Sequence, residues 1–162
     1  MKLAENIGEG NIKEVRKCLL NGDNPNQDYG GMTLLSLACN VGNVDVIYEL
    51  LSHGADANAA NLNDKINQPL LLAAFSCESK AITILLQAGA EVNQINEIGQ
   101  TALMIAAKAG KVDAIQILLD NGALINKQDN LGRTAAHWAC AGGDFVDVVI
   151  ILKKKQAQIF LS

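Results

Sequence analysis

The chain matches itself when shifted by about 33 residues, and this self-similarity restricts its folding more than any other feature. LLSHGADAN (50–58) returns as LLQAGAEVN (85–93) and as LLDNGALIN (118–126), with a weaker copy, LLNGDNPN, at 19–26. Gly22, Gly54, Gly89 and Gly122 are thereby spaced 32, 35 and 33 residues apart. A second anchor keeps the same register: GMTLLSLAC (31–39), INQPLLLAA (66–74), GQTALMIAA (99–107) and GRTAAHWAC (132–140). A unit of this length cannot bury its apolar face alone, but it can bury it against copies of itself.

Local chemistry defines the unit. Thr33, Thr101 and Thr134 suit a helix N-cap, where the hydroxyl accepts a bond from an orphan N–H of the first turn. In the third copy Gln68 stands in that place, but Pro69 follows at the first helical position, where no N–H is needed. A short helix then runs to Gly42, Gly110 or Gly143. Its small residues Ala38, Ala73, Ala106 and Ala139 permit close helix–helix approach. A second helix follows, as in VDVIYELL (44–51) and VDAIQILL (112–119), with apolar residues at helical spacing. It ends at a glycine suited to the left-handed C-terminal position, so Gly89 and Gly122 are expected at positive φ. Aromatics make up only 4% of the chain, so the core must be built from Ala, Leu, Ile and Val, which favours packed helices.

The pattern D-x-x-G-x-T-P-L-H-x-A-A, then Gly, then L-L-x-x-G-A-x-x-N, resembles the ankyrin repeat across essentially the whole chain. The resemblance implies one all-α domain over 1–162, an ankyrin-repeat solenoid. Its five helix-turn-helix units, near 1–27, 28–62, 63–95, 96–128 and 129–162, are joined by hairpin-like loops. Departures exist. The first unit lacks the cap threonine. The third has Ile66 for the loop glycine, Cys77 where Gly42 and Gly110 stand elsewhere, and a longer preceding loop, AANLNDKINQ (59–68). The last has Lys155-Gln156 in place of the terminal Gly-Ala.

Residues that could carry chemistry read better as structure. His137 and Cys140 stand three apart on one helix, a spacing open to a thiolate–imidazole pair or half a metal site. The resemblance instead makes His137 a structural hydrogen-bonding group between neighbouring loops and places Cys140 at the small-residue position that Cys39 fills earlier. Cys18 and Cys77 fall on inward positions, and Trp138 reads as core packing. His53 sits where an imidazole meets the last carbonyls of a helix. Asn58, Asn93 and Asn126 recur at one loop position and read as local hydrogen-bonding residues of the hairpin; the resemblance also allows asparagine hydroxylation there. GEGNIK (8–13) follows a helical segment and lacks the third glycine of a nucleotide-binding loop. The expectation is a non-enzyme with no catalytic residue, no cofactor, no metal and no small-molecule substrate.

The net charge of −4 opposes a nucleic-acid partner, which needs a basic face. The basic run Lys153–Lys155 reads as a helix end complementing the dipole. No apolar stretch reaches the roughly 18 residues of a membrane span, and the N-terminus lacks a signal-peptide core. With four scattered cysteines, this predicts a cytoplasmic or nuclear, non-secreted protein.

The leading functional expectation is binding of another protein through the concave face of the array. A second reading makes the chain a regulatory or targeting segment of a larger enzyme, channel or transcription factor. The positions that vary between copies and face that side include Asn40, Val41, Asn67, Ser76, Glu97, Gln100 and Asn130. The residues expected to bind are Tyr29, Met32, Asp64, Lys65, Phe75, Ile98, Lys108, Leu131 and Arg133. Tyr and Arg are enriched at energetic hot spots, and Phe at interfaces. At the C-terminal end, Val149 replaces the polar or aromatic Arg16, Tyr48 and Gln116, and Ile159, Phe160 and Leu161 add apolar surface. That end is expected to need a cover: the folded-back tail, a further repeat or a second copy of the chain.

Overall fold

The computed structural model describes residues 2–59, 68–76, 78–143 and 145–159, the side chains of 157–159 excepted. The long loop before Gln68, with Asp64, Lys65, Ile66 and Asn67, lies outside the described residues, as do Cys77, Phe160 and Leu161. Helices come in pairs: α1 (Lys2–Gly8) with α2 (Ile12–Leu20), α3 (Leu34–Val41) with α4 (Val44–Ser52), α5 (Pro69–Ser76) with α6 (Ser79–Gln87), α7 (Ala102–Lys108) with α8 (Val112–Asp120), and α9 (Ala135–Gly142) with α10 (Val146–Ile159). The strands β1 (Asp28–Tyr29) and β2 (Met32–Thr33) form a minimal antiparallel hairpin, with Asp28 opposite Thr33 and Tyr29 opposite Met32.

The first helix of each pair packs on the first helix of the next, giving an inner row α1, α3, α5, α7, α9. The second helices α2, α4, α6 and α8 make an outer row in the same order. Alanine sets the inner spacing: Ala38, Ala73, Ala106 and Ala139 are fully buried. The approach is closest at Gly142, where any Cβ would collide with the carbonyl oxygen of Lys108 on α7. Leu35, Ile47, Leu50, Leu70, Ile82, Leu85, Leu103, Ile115 and Leu118 fill the space between the rows. Each such side chain contributes about 1.5–3 kcal/mol relative to exposure.

The caps fall where the threonines stand. Thr33 Oγ1 accepts the Ser36 N–H at 3.1 Å, and Thr101 Oγ1 the Met104 N–H at 3.3 Å. At Thr134 the capping box is closed by His137, whose Nδ1 accepts the Thr134 N–H at 3.2 Å. The imidazole therefore bonds inside its own unit, a correction to the expected bond between loops; a histidine at the third helical position reaches back to the cap more directly than outward. Cys39 is buried, and burial pushes its thiol pKa up. Cys140, expected to pack like Cys39, is exposed because no described helix covers that side of α9. Cys18 is half-buried, with the Asn6 amide 3.9 Å from its sulfur.

The recurring asparagines also act over longer range than a local hairpin bond. Asn26 Nδ2 donates to the Gly54 carbonyl at 2.8 Å, and its Oδ1 accepts the Asp56 N–H at 2.8 Å. Asn58 does the same one unit later with Gly89 O (2.9 Å) and Glu91 N (2.8 Å). Asn93 repeats it with Gly122 O (3.1 Å) and Leu124 N (2.9 Å). Each amide thus ties its own loop to the next by both its donor and its acceptor, and Asn58 Oδ1 also accepts from Gln94 Nε2 at 3.1 Å. At Asn126 the partner is a side chain, Gln156 Nε2 at 3.0 Å, and Lys155 Nζ beside it meets Asp120 at 2.9 Å. The lysine run ends in this ion pair as well as in solvent. In the outer row, Arg16 Nη2 reaches Glu49 Oε2 at 2.8 Å, and the Arg16 hydrogen bond holds that carboxyl below its usual range.

The carbonyls that receive the asparagines belong to left-handed glycines, with φ of 88° at Gly89 and 87° at Gly122. A Cβ at Gly122 would meet no neighbour within 4 Å, so the penalty for a side chain there is conformational. Gly122→Val should cost about 1–2 kcal/mol in urea unfolding. Asn58→Ala, which removes three bonds across one seam, should cost about 1–3 kcal/mol. A melting curve unchanged by either substitution contradicts this account of the seam.

Candidate protein-binding surface

On one side of the array the inner helices expose the ends of their last turns, as at Asn40, Val41, Phe75 and Lys108, beside the hairpins that precede them. Each described hairpin is closed by the residue that opens it. Asp28 Oδ1 accepts the Gly31 N–H at 3.0 Å. Asn96 Oδ1 accepts from Ile98 N (3.2 Å) and Gln100 N (2.9 Å). Asp129 Oδ1 accepts from Leu131 N and Arg133 N, both at 2.9 Å. Neighbouring tips are also joined: the Asn130 amide donates to Glu97 O at 2.8 Å, and its backbone N–H to Ile98 O at 3.1 Å. These bonds hold Ile98 and Leu131 outward, with Leu131 75% exposed.

Below the tips, an open groove of about 560 Å³ crosses α3, α5 and α7. Its apolar wall is Leu71, Leu72, Phe75 and Ile105; its polar rim is Asn40, Asn96, Gln100 and Lys108. Phe75 is 73% exposed at the lip. Of the residues expected to bind a partner, Phe75 and Lys108 meet in this groove. Tyr29 and Met32 lie on the β1–β2 hairpin, Tyr29 exposed and Met32 half-buried. Ile98 and Leu131 stand on the tips, and Asp64 and Lys65 lie outside the described residues.

Arg133 belongs to a cluster that sequence reasoning did not assemble. The Asp129 carboxylate is fully buried as a side chain, and its Oδ2 accepts from Arg133 Nε at 2.8 Å and Trp138 Nε1 at 3.0 Å. The Arg133 guanidinium lies 4.1 Å from the Trp138 ring centroid, and the Lys108 ammonium 5.2 Å from it. Trp138 is buried, as expected of a core residue, but it also anchors two cations and one carboxylate. Cation–ring attraction of this kind is worth about 0.5–2 kcal/mol per contact. Burial raises the Asp129 pKa, but hydrogen bonds from Arg133, Leu131 and Trp138 outweigh it and bring it from the ordinary 3.8 to about 2. The groove-wall residues Leu71, Leu72 and Ile105 were missed, because an aliphatic carries no sequence mark distinguishing a groove wall from a core.

The family model for ankyrin repeats (3 copies) matches residues 1–96 and 88–161. The chain belongs to the ankyrin-repeat family. Ankyrin repeats are in general protein–protein interaction modules, typically without catalytic activity. No curated protein matches the chain. Among the described residues no helix is long and apolar enough to cross a membrane, and no group of three or more His, Cys, Asp or Glu is placed to hold a metal ion. The last ankyrin unit presents apolar surface at its far end. Val146 and Ile150 are exposed, and together with Cys140, Phe145 and Val149 they line a shallow depression of about 510 Å³.

A carboxyl with a depressed folded pKa stabilises the fold above its unfolded pKa, and that contribution is lost as pH falls towards the folded value. For Asp129 the window runs from about 3.8 down to about 2. The stability gap between the protein and its Asp129→Asn variant should be full near neutral pH and close through this window. Urea midpoints at several pH values would check it; a constant gap would show that the Asp129 charge is not what the cluster stabilises.

Proposed function

We propose that the chain is a protein-binding module that receives its partner on the concave, inner-helix side, through the α3–α5–α7 groove and the hairpin tips above it. The observation that carries this is the groove itself. It presents a largely exposed Phe75 over an apolar wall of Leu71, Leu72 and Ile105, in a chain with few aromatics to leave in water. Exposed aromatic and aliphatic side chains in a rimmed depression are the usual anchors of an interface. The tips add Tyr29, Ile98 and Leu131, each more than a third exposed, around the same side. Asp64 and Lys65, on the loop before α5, are proposed to extend the contact. The setting proposed is cytoplasmic or nuclear, and the units 1–27, 28–62, 63–95, 96–128 and 129–162 are proposed to act as one domain.

The test compares a partner captured from cells by the wild-type protein with capture by variants on opposite sides. Phe75→Ala should weaken binding about thirtyfold, the effect of a hot-spot truncation of about 2 kcal/mol. Tyr48, 61% exposed on the outer helix α4, provides the control. Loss of capture by Tyr48→Ala with full retention by Phe75→Ala would move the interface to the outer side.

A further inference from the structure

We infer that the groove selects an acidic linear segment: a stretch of a partner protein that places an Asp or Glu side chain within a few residues of a large apolar one. This rests on the binding side proposed above and specifies the chemistry it reads. The first observation is the distribution of charge. Helices α3, α5, α7 and α9 contain no Asp or Glu, and their only lysine is Lys108, whereas the chain as a whole carries a net −4. The acids of the helical rows lie mainly on the outer side, as at Glu14, Asp45, Glu49, Asp113, Asp120 and Asp147. Near the groove, Asp28 and Glu97 stand on hairpin tips, and Asp129 is buried and already bonded; Asp64, outside the described residues, is followed in the sequence by Lys65.

The second observation is that the cations are held in place and keep bonding capacity. Lys108 rims the groove with its ammonium against the Trp138 ring, and among the described residues it has no carboxylate partner. Arg133 spends Nε on Asp129 and stacks on the same indole. Its terminal N–H donors take no partner among the described residues, and an arginine fork presents such donors in a geometry that suits a carboxylate. A cation fixed by an aromatic ring loses less freedom when a carboxylate arrives. The apolar wall of Leu72, Phe75 and Ile105 adjoins Lys108, so one extended segment can satisfy both features.

The test is selection of a random tryptophan-free dodecapeptide display library on the immobilised protein. Winners are then titrated as synthetic peptides while the emission of Trp138, the only tryptophan, is followed. The expected winners carry Asp or Glu near a large apolar residue and shift the Trp138 emission. Replacing the acid by its amide should weaken them about tenfold or more. Lys108→Glu, which reverses the rim charge, should weaken them similarly and bind peptides with Lys at the acidic position better than the wild type does. Winners without an acidic preference, or indifferent to Lys108→Glu, overturn the inference; if Phe75→Ala still abolishes them, the binding side stands. Winners indifferent to both substitutions overturn the inference and the binding side together. A selection that enriches nothing overturns the linear segment and leaves a folded partner to the capture experiment.

Discussion

A helix pair of this length has an apolar flank on each side and no means of covering either by itself. Stacking is the only relief, and everything else in the molecule accommodates it. The alanines at 38, 73, 106 and 139 bring the inner helices close enough for aliphatic side chains to meet between the rows. Apolar contact alone would allow one pair to slide on the next, because it is non-directional. Asn26, Asn58 and Asn93 remove that freedom, since a carboxamide offers a donor and an acceptor in one plane and finds both on the neighbouring loop. The left-handed glycine completes the arrangement by turning its carbonyl towards that amide.

This division of labour explains which parts of the fold were legible in the residues alone. The threonine caps, Pro69 at a helix start and the glycines at positive φ all follow from interactions within a few residues, and short sequence windows record these directly. The asparagines were visible as a repeated position, yet their partners about 30 residues away were not, because the same residue type also serves local turns. His137 was assigned to the wrong partner for a related reason: the family pattern preserves the residue without recording which of two available neighbours it bonds.

The proposed binding side was legible as a direction more than as a site. Phe75 and Lys108 were picked from the positions that vary between copies, and the groove brings them together. Arg133 was picked on the same grounds, but its Nε and its guanidinium face already serve a buried carboxylate and an indole. No spacing rule could join Lys108, Asp129, Arg133 and Trp138, because the contact between α7 and α9 that assembles them is a product of stacking. The cluster therefore serves two ends at once, closing the seam between two ankyrin units and fixing positive charge at the rim of the groove.

Because each unit touches only its neighbours, a fault at one seam is not shared with the others. Gln68 shows what this permits. It stands where other units have a capping threonine, donates from Nε2 to Ile95 O at 3.2 Å, and leaves its buried Oε1 without a partner among the described residues. In a protein with one closed core such a departure from the pattern would be felt throughout. Here it is confined to one joint in a chain of joints, so mutation can rework a unit's loop and rim while the flanking units keep it folded. An array of this kind can drift towards a new ligand one segment at a time.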